Sequence, residues 1–204
     1  MFVELKNELC IIVGGGMVAY RKIKALLEFE AKVVVIAPKF CENILSLQGE
    51  ITLLNKEYKT SDIEGASLVI AATNDFGLNK RISSECKERK IPVNVVDVQK
   101  ECSFIFPAYI KKGAITVGVT SSGKSPLISQ RIKKDINNII PDYLEDLLEI
   151  LGDVREEVKM NFDTEEMRIK VFKQLIDLGC SNYGKLSRTE IENILAKAGG
   201  KEHV

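Results

Sequence analysis

The apolar run Leu9–Val13 leads directly into Gly14-Gly15-Gly16 and then into Met17-Val18-Ala19. A β-branched run halted by glycines and resumed as an amphipathic stretch reads as a strand turning sharply into a helix. The spacing is G-x-G-x-x-A. Gly14 permits the tight turn, Gly16 lets the backbone approach a diphosphate, and small Ala19 lets helix pack closely on strand. The start of the helix adds N–H groups and the positive end of its dipole, which suit the same anion. The motif therefore predicts a dinucleotide-binding βαβ unit, with a glycine-rich turn that binds nothing as the plain alternative.

The pattern continues. Val18–Phe29 reads as a helix with Ala19, Ile23, Leu26 and Leu27 on one face, and Lys32–Ile36 as a second strand stopped by Pro38. Ile51–Asn55, Leu68–Ala72 and Pro92–Val96 read as further strands, with Asp75–Lys90 as a helix before the last of them. This alternation predicts an α/β fold, a Rossmann-like doubly wound parallel sheet with right-handed connections. Beyond Asp97 the extended runs Ser103–Pro107 and Ala114–Thr120 are expected to pair across Lys111-Lys112-Gly113. Helical patterns follow over Leu127–Ile140, Tyr143–Met160, Thr164–Leu178 and Ser187–Ala198, with Pro126 in a first turn and a capping box at Ser187 and Glu190. The expected organisation is a dinucleotide-binding Rossmann domain over residues 1–112, a small α+β segment over 113–145 and a C-terminal helical domain over 146–204. Gly199–Val204 should fray.

Composition narrows the chemistry. Lys+Arg and Asp+Glu both number 29, so no global basic excess supports nucleic acid or an anionic membrane as the main partner. The apolar runs are shorter than the roughly 20 residues of a membrane helix, and Met1–Asn7 carries both signs of charge, unlike a secretory signal. The 5 cysteines are scattered without a C-x-x-C pair, so neither a metal site nor a disulfide framework is expected, and a cytoplasmic location is. The only histidine, His203, stands at the end of the chain, which leaves imidazole chemistry little to work with.

The remaining candidates sit at predicted strand ends. The second strand ends Ala37-Pro38-Lys39 without the acid that usually holds the adenosine ribose of NAD. Lys39 would favour a 2′-phosphate, while backbone groups near Pro38 could bind a ribose, so the residues leave NAD and NADP open. Thr73 and Asn74 end the fourth strand on the edge where doubly wound sheets bind ligands, although Asn74 or Asp75 could simply cap the next helix. Asp97 ends the fifth strand on the same edge and is the candidate proton acceptor for a hydride transfer, against a plain role in a turn. Cys102 reads as a small buried hydrophobe. Ser121-Ser122-Gly123-Lys124-Ser125-Pro126 offers hydroxyls, N–H groups and a lysine before a helix, and Arg131 adds charge. A polycarboxylate would suit this surface, as would a solvated basic helix face.

Three segments together resemble one family, the precorrin-2 dehydrogenase module of siroheme synthases. They are Val13–Lys22, Asn94-Val95-Val96-Asp97 leading into Ser103-Phe104-Ile105-Phe106-Pro107-Ala108, and Ser121–Pro126; Ala71–Asp75 also fits. The resemblance covers about residues 1–145. It implies NAD as cofactor, with contacts at Met17, Val18, Pro38 and Lys39 that join the candidates Gly14, Gly15, Gly16, Ala19, Thr73 and Asn74 read from the motif and the strand ends. It implies Asp97 as the aspartate needed for activity and Ser122 as a serine of the tetrapyrrole site, phosphorylated in some members; Asn94, Gly123, Lys124, Ser125 and Arg131 are the further candidate contacts for that substrate. It also implies a homodimer built through the segment after the Rossmann domain. The activity implied is NAD-dependent oxidation of precorrin-2 to sirohydrochlorin, with iron insertion either added in the same protein or left to a separate chelatase. The rival reading from another class is a nucleotide-sensing Rossmann module without turnover.

Overall fold

In the computed structural model, which describes residues 2–199, five parallel strands form one sheet: β1 (Leu9–Val13), β2 (Lys32–Ala37), β3 (Thr52–Asn55), β4 (Leu68–Ala71) and β5 (Val93–Val95). Their order is β3-β2-β1-β4-β5, so the chain winds outward in both directions from β1. Between β1 and β4 lies the switch point at which such sheets bind ligands beyond their carboxyl ends. The central strands are covered on both faces, which is why they read as unbroken apolar runs.

Helix α1 (Met17–Glu28) closes one face. Its Ala19, Ile23 and Leu26 are fully buried against Cys10, Ile12, Val33 and Val35. A four-residue helix α2 (Glu42–Leu45) follows β2, with Ile44 in the same cluster. Helix α3 (Phe76–Glu88) closes the opposite face, where Ile82 and Cys86 pack on Ile11, Val13, Val69, Val93 and Val95. Truncating Ile23 or Ile82 to Ala would cost about 2–5 kcal/mol, because each is wholly enclosed.

The chain divides between Phe106 and Pro107 into two compact units. The second begins with an antiparallel hairpin, β6 (Ala108–Lys112) and β7 (Ile115–Val119), turning at Gly113 with φ +52°. Helices α4 (Pro126–Ile139), α5 (Leu144–Asp153), α6 (Arg155–Asn161), α7 (Glu165–Ser181) and α8 (Arg188–Lys197) follow. Val154, Val158, Phe162, Val171, Leu175, Ile191 and Leu195 form a core of their own. Helix α4 is different: only Ser129 is buried, while Leu127, Ile128, Ile132 and Ile139 lie in the open. No described helix is long and apolar enough to cross a membrane.

The structure corrects two expectations. Ser103–Pro107 is not a strand of the hairpin, whose first strand starts at Ala108. The residues before it are tied instead to the outer edge of β5. Ser103 N–H donates to Val93 O (2.8 Å), Val93 N–H donates to Ser103 Oγ (2.8 Å), and Asn94 Nδ2 donates to Phe104 O (3.1 Å). The single helix expected over Tyr143–Met160 is two, parted at Val154. Gly152 and Asp153 are poor helix formers, and the break lets Val154, Val158 and Phe162 all reach the core. The capping box at Ser187 and Glu190 is present. Of the fraying expected over Gly199–Val204, only Gly199 falls within the described residues, and His203 lies outside them.

Candidate functional site

The three glycines have three different environments. Gly14 stands at φ +134°, and a Cβ there would lie 2.2 Å from Ala72 O. A Cβ on Gly15 would lie 1.9 Å from Lys39 O. Both positions are therefore glycine because the ends of β4 and β2 press against the loop. Gly16 has an ordinary φ of −95°, and a Cβ there would meet nothing within 4 Å. Among the described residues nothing crowds this position, and the open space above it is where a dinucleotide's diphosphate would approach.

The surroundings suit that anion. Gly16 caps α1 without any side-chain hydrogen bond, and the first turn holds no acidic residue. Neither the cap nor the first turn thus compensates the positive end of the helix. Met17 and Val18 are 46% and 40% exposed at this turn, while Ala19 is buried beneath it. Lys39 and Pro38 are exposed beside Gly15, and Pro38 O accepts a hydrogen bond from Asn55 Nδ2 (3.3 Å). The loop, the Pro38–Lys39 segment and Thr73 thus converge on one sheet edge, and these residues fit a bound dinucleotide.

Thr73 is held from below by a residue that spacing did not mark. Buried Asn79 accepts from the Thr73 hydroxyl (2.7 Å) and donates through Nδ2 to Thr73 O (2.9 Å). The hydroxyl also accepts from Asp75 N–H (3.1 Å). Asp75, not Asn74, caps α3 by accepting from Leu78 N–H (3.0 Å), which leaves Asn74 exposed and unused by the cap. The only hint of Asn79 in the sequence is a polar residue on the inner face of an amphipathic helix.

Asp97 lies past the end of β5 with φ +61°, a left-handed conformation that Asp tolerates better than most residues. Its carboxylate is exposed and forms no hydrogen bond with a described residue. The turn is fixed from behind by Cys102, whose sulfur accepts from Val95 N–H (3.1 Å) and donates to Val95 O (3.2 Å). Asn94, a candidate substrate contact, is buried, and its amide nitrogen is spent on Phe104 O and Cys102 Sγ.

Lys22 on α1 joins this region as well. Its ammonium sits 4.2 Å from the centroid of the Phe106 ring. Burial lowers its affinity for a proton, and through-space interaction with Cys102 and Asp97 partly restores it.

In the second unit, Ser122 and Gly123 both adopt left-handed conformations, at φ +53° and +77°. Ser121 Oγ accepts from Ser125 N–H (3.0 Å), and Ser125 Oγ caps α4 by accepting from Ile128 N–H (3.4 Å). Those two hydroxyls shape the loop, while Ser122, Lys124 and Arg131 present exposed side chains.

The chain resembles several siroheme synthases. It is 34% identical to that of Vesicomyosocius okutanii over 168 residues, covering 81% of this chain and 36% of the relative. Against that of Photorhabdus laumondii it is 38% identical over 176 residues, covering 85% and 37%. The chain thus spans little more than a third of the length of these relatives. A solved structure of SirC, precorrin-2 dehydrogenase, superposes with a TM-score of 0.72 over 97% of each chain at 22% identity, so the two share a fold. A family described as "Putative NAD(P)-binding" matches residues 1–108, more than half of the chain and the whole glycine-loop unit. With the loop geometry, that match places the chain in this NAD(P)-binding family.

Proposed function

We propose that the chain is an NAD-dependent dehydrogenase that oxidises precorrin-2 to sirohydrochlorin. The observation that carries this reading is the likeness to siroheme synthases over four fifths of the chain. The likeness of fold to a precorrin-2 dehydrogenase supports it.

The reaction removes two hydrogens from the macrocycle, one as hydride and one as a proton. When bound, the nicotinamide supplies the hydride acceptor. Gly16 and the first turn of α1 would hold its diphosphate, and Thr73, steadied by Asn79, would contact the nicotinamide half. Asp97 is the proposed base: an exposed carboxylate on a fixed turn at the carboxyl end of β5, with no internal partner to give up before it takes a proton. Ser122, Gly123, Lys124 and Arg131 are proposed ligands for substrate carboxylates, with Ser125 shaping their loop. The exposed apolar residues of α4 fit burial against a second copy, so a homodimer belongs to the same reading, as does a cytoplasmic location.

The test is anaerobic. Purified protein is mixed with precorrin-2 generated in place and either NAD⁺ or NADP⁺, and absorbance is followed. The sirohydrochlorin spectrum should appear with NAD⁺ and more slowly with NADP⁺. Binding of NADH without any spectral change would leave the dinucleotide site standing and remove the tetrapyrrole.

A further inference from the structure

A half-buried ammonium without a counter-ion calls for an anion from elsewhere, and Lys22 is such a group. Its neighbours Ala19, Ile23 and Leu26 are fully buried, so this side of α1 is turned to the interior. The ammonium rests on the face of Phe106, a ring itself held in a tilted pair with Phe104 at 5.4 Å. The side chain forms no hydrogen bond and no ion pair with a described residue. Lys112, with its side chain 22% exposed, is treated differently and donates to Ile140 O and Asp142. A ring face offers a cation only part of what water offers, and the Asp97 carboxylate acts on it only through space. The position is one turn and a half below the glycine loop, on the helix that carries that loop.

We propose that Lys22 is a carboxylate-binding group of the substrate site, taking one peripheral carboxylate of the tetrapyrrole on the side of Asp97. The proposal rests on the reading of the substrate given above. Phe106 holds the ammonium in place before substrate arrives, so little side-chain freedom is lost when the ion pair forms. The pair also sets the macrocycle in register with Asp97, which makes Lys22 a determinant of which face and which edge of the ring meet the base.

The experiment uses the full chain with NADH bound and uroporphyrin as an unreactive octacarboxylate probe, followed by porphyrin fluorescence. Wild type, Lys22→Gln and Lys22→Arg are compared, with NADH affinity and thermal unfolding measured in parallel. Lys22→Gln should weaken porphyrin binding about tenfold and flatten its salt dependence, while Lys22→Arg stays within about threefold of wild type. NADH affinity and unfolding should be unchanged in both variants, and in turnover Lys22→Gln should raise KM more than it lowers kcat. Equal porphyrin binding by wild type and Lys22→Gln overturns the proposal and leaves the substrate reading intact. A parallel loss of NADH affinity and thermal stability in Lys22→Gln also overturns it, in favour of a purely structural lysine. A wild-type protein that binds NADH but no porphyrin overturns the substrate reading, and this proposal with it.

Discussion

Gly14, Gly15 and Gly16 share a motif but not a reason, and substitution separates them. Gly15→Ala drives a methyl into Lys39 O and should destabilise the fold by about 1–3 kcal/mol in urea unfolding. Gly16→Val fills open space at an ordinary φ, so unfolding should shift by less than about 1 kcal/mol while NADH affinity falls at least about tenfold by fluorescence titration. Asp97→Asn should keep NADH binding and stability but lower turnover by about a hundredfold or more, the range expected when a positioned base is lost. Full turnover in that variant would remove Asp97 from the chemistry. The loop and Asp97 were legible in the sequence because each is placed by its distance from a strand end. Asn79 and Lys22 were not, since what they do depends on Thr73 and Phe106, which lie 6 and 84 positions further along or back and are brought to them only by folding.

At the scale of elements, the strands of the first unit were readable because buried parallel strands leave apolar runs bounded by Gly, Pro or Asn. The segment Ser103–Pro107 has the same β-rich look yet pairs with no strand. Its ties to β5 combine one backbone bond, Ser103 N–H to Val93 O, with bonds made by the side chains of Ser103 and Asn94, and periodicity carries no sign of bonds made by side chains. Ser103→Ala should therefore cost about 1–2 kcal/mol, more than an exposed serine usually would, because it leaves the N–H of buried Val93 without its partner. The break at Val154 was hidden for a related reason: the apolar spacing runs smoothly through it, and only the direction of the core requires the chain to turn. Ser187→Ala offers a clean measurement in the second unit. Losing the hydroxyl arm of the capping box, while Glu190 still accepts from the backbone N–H of residue 187, should cost about 1 kcal/mol in thermal unfolding and leave NADH affinity untouched.

For the molecule as a whole, the uneven burial of α4 predicts association. Leu127 is 83% exposed and Ile139 75% exposed, an arrangement a lone protomer gains nothing from. Leu127→Glu combined with Ile128→Glu should lower the mass measured by light scattering from that of a dimer to that of a monomer. A monomeric wild type would remove the homodimer from the reading above. The sheet is a different matter. The outward-facing N–H and C=O groups of Val93 and Val95, which an edge strand normally offers to any extended chain, are already taken by Ser103 and Cys102. That margin cannot template a sixth strand. Runaway strand-by-strand polymerisation of this sheet, in a crowded or partly unfolded population, would have to start from the four residues of β3 on the opposite side.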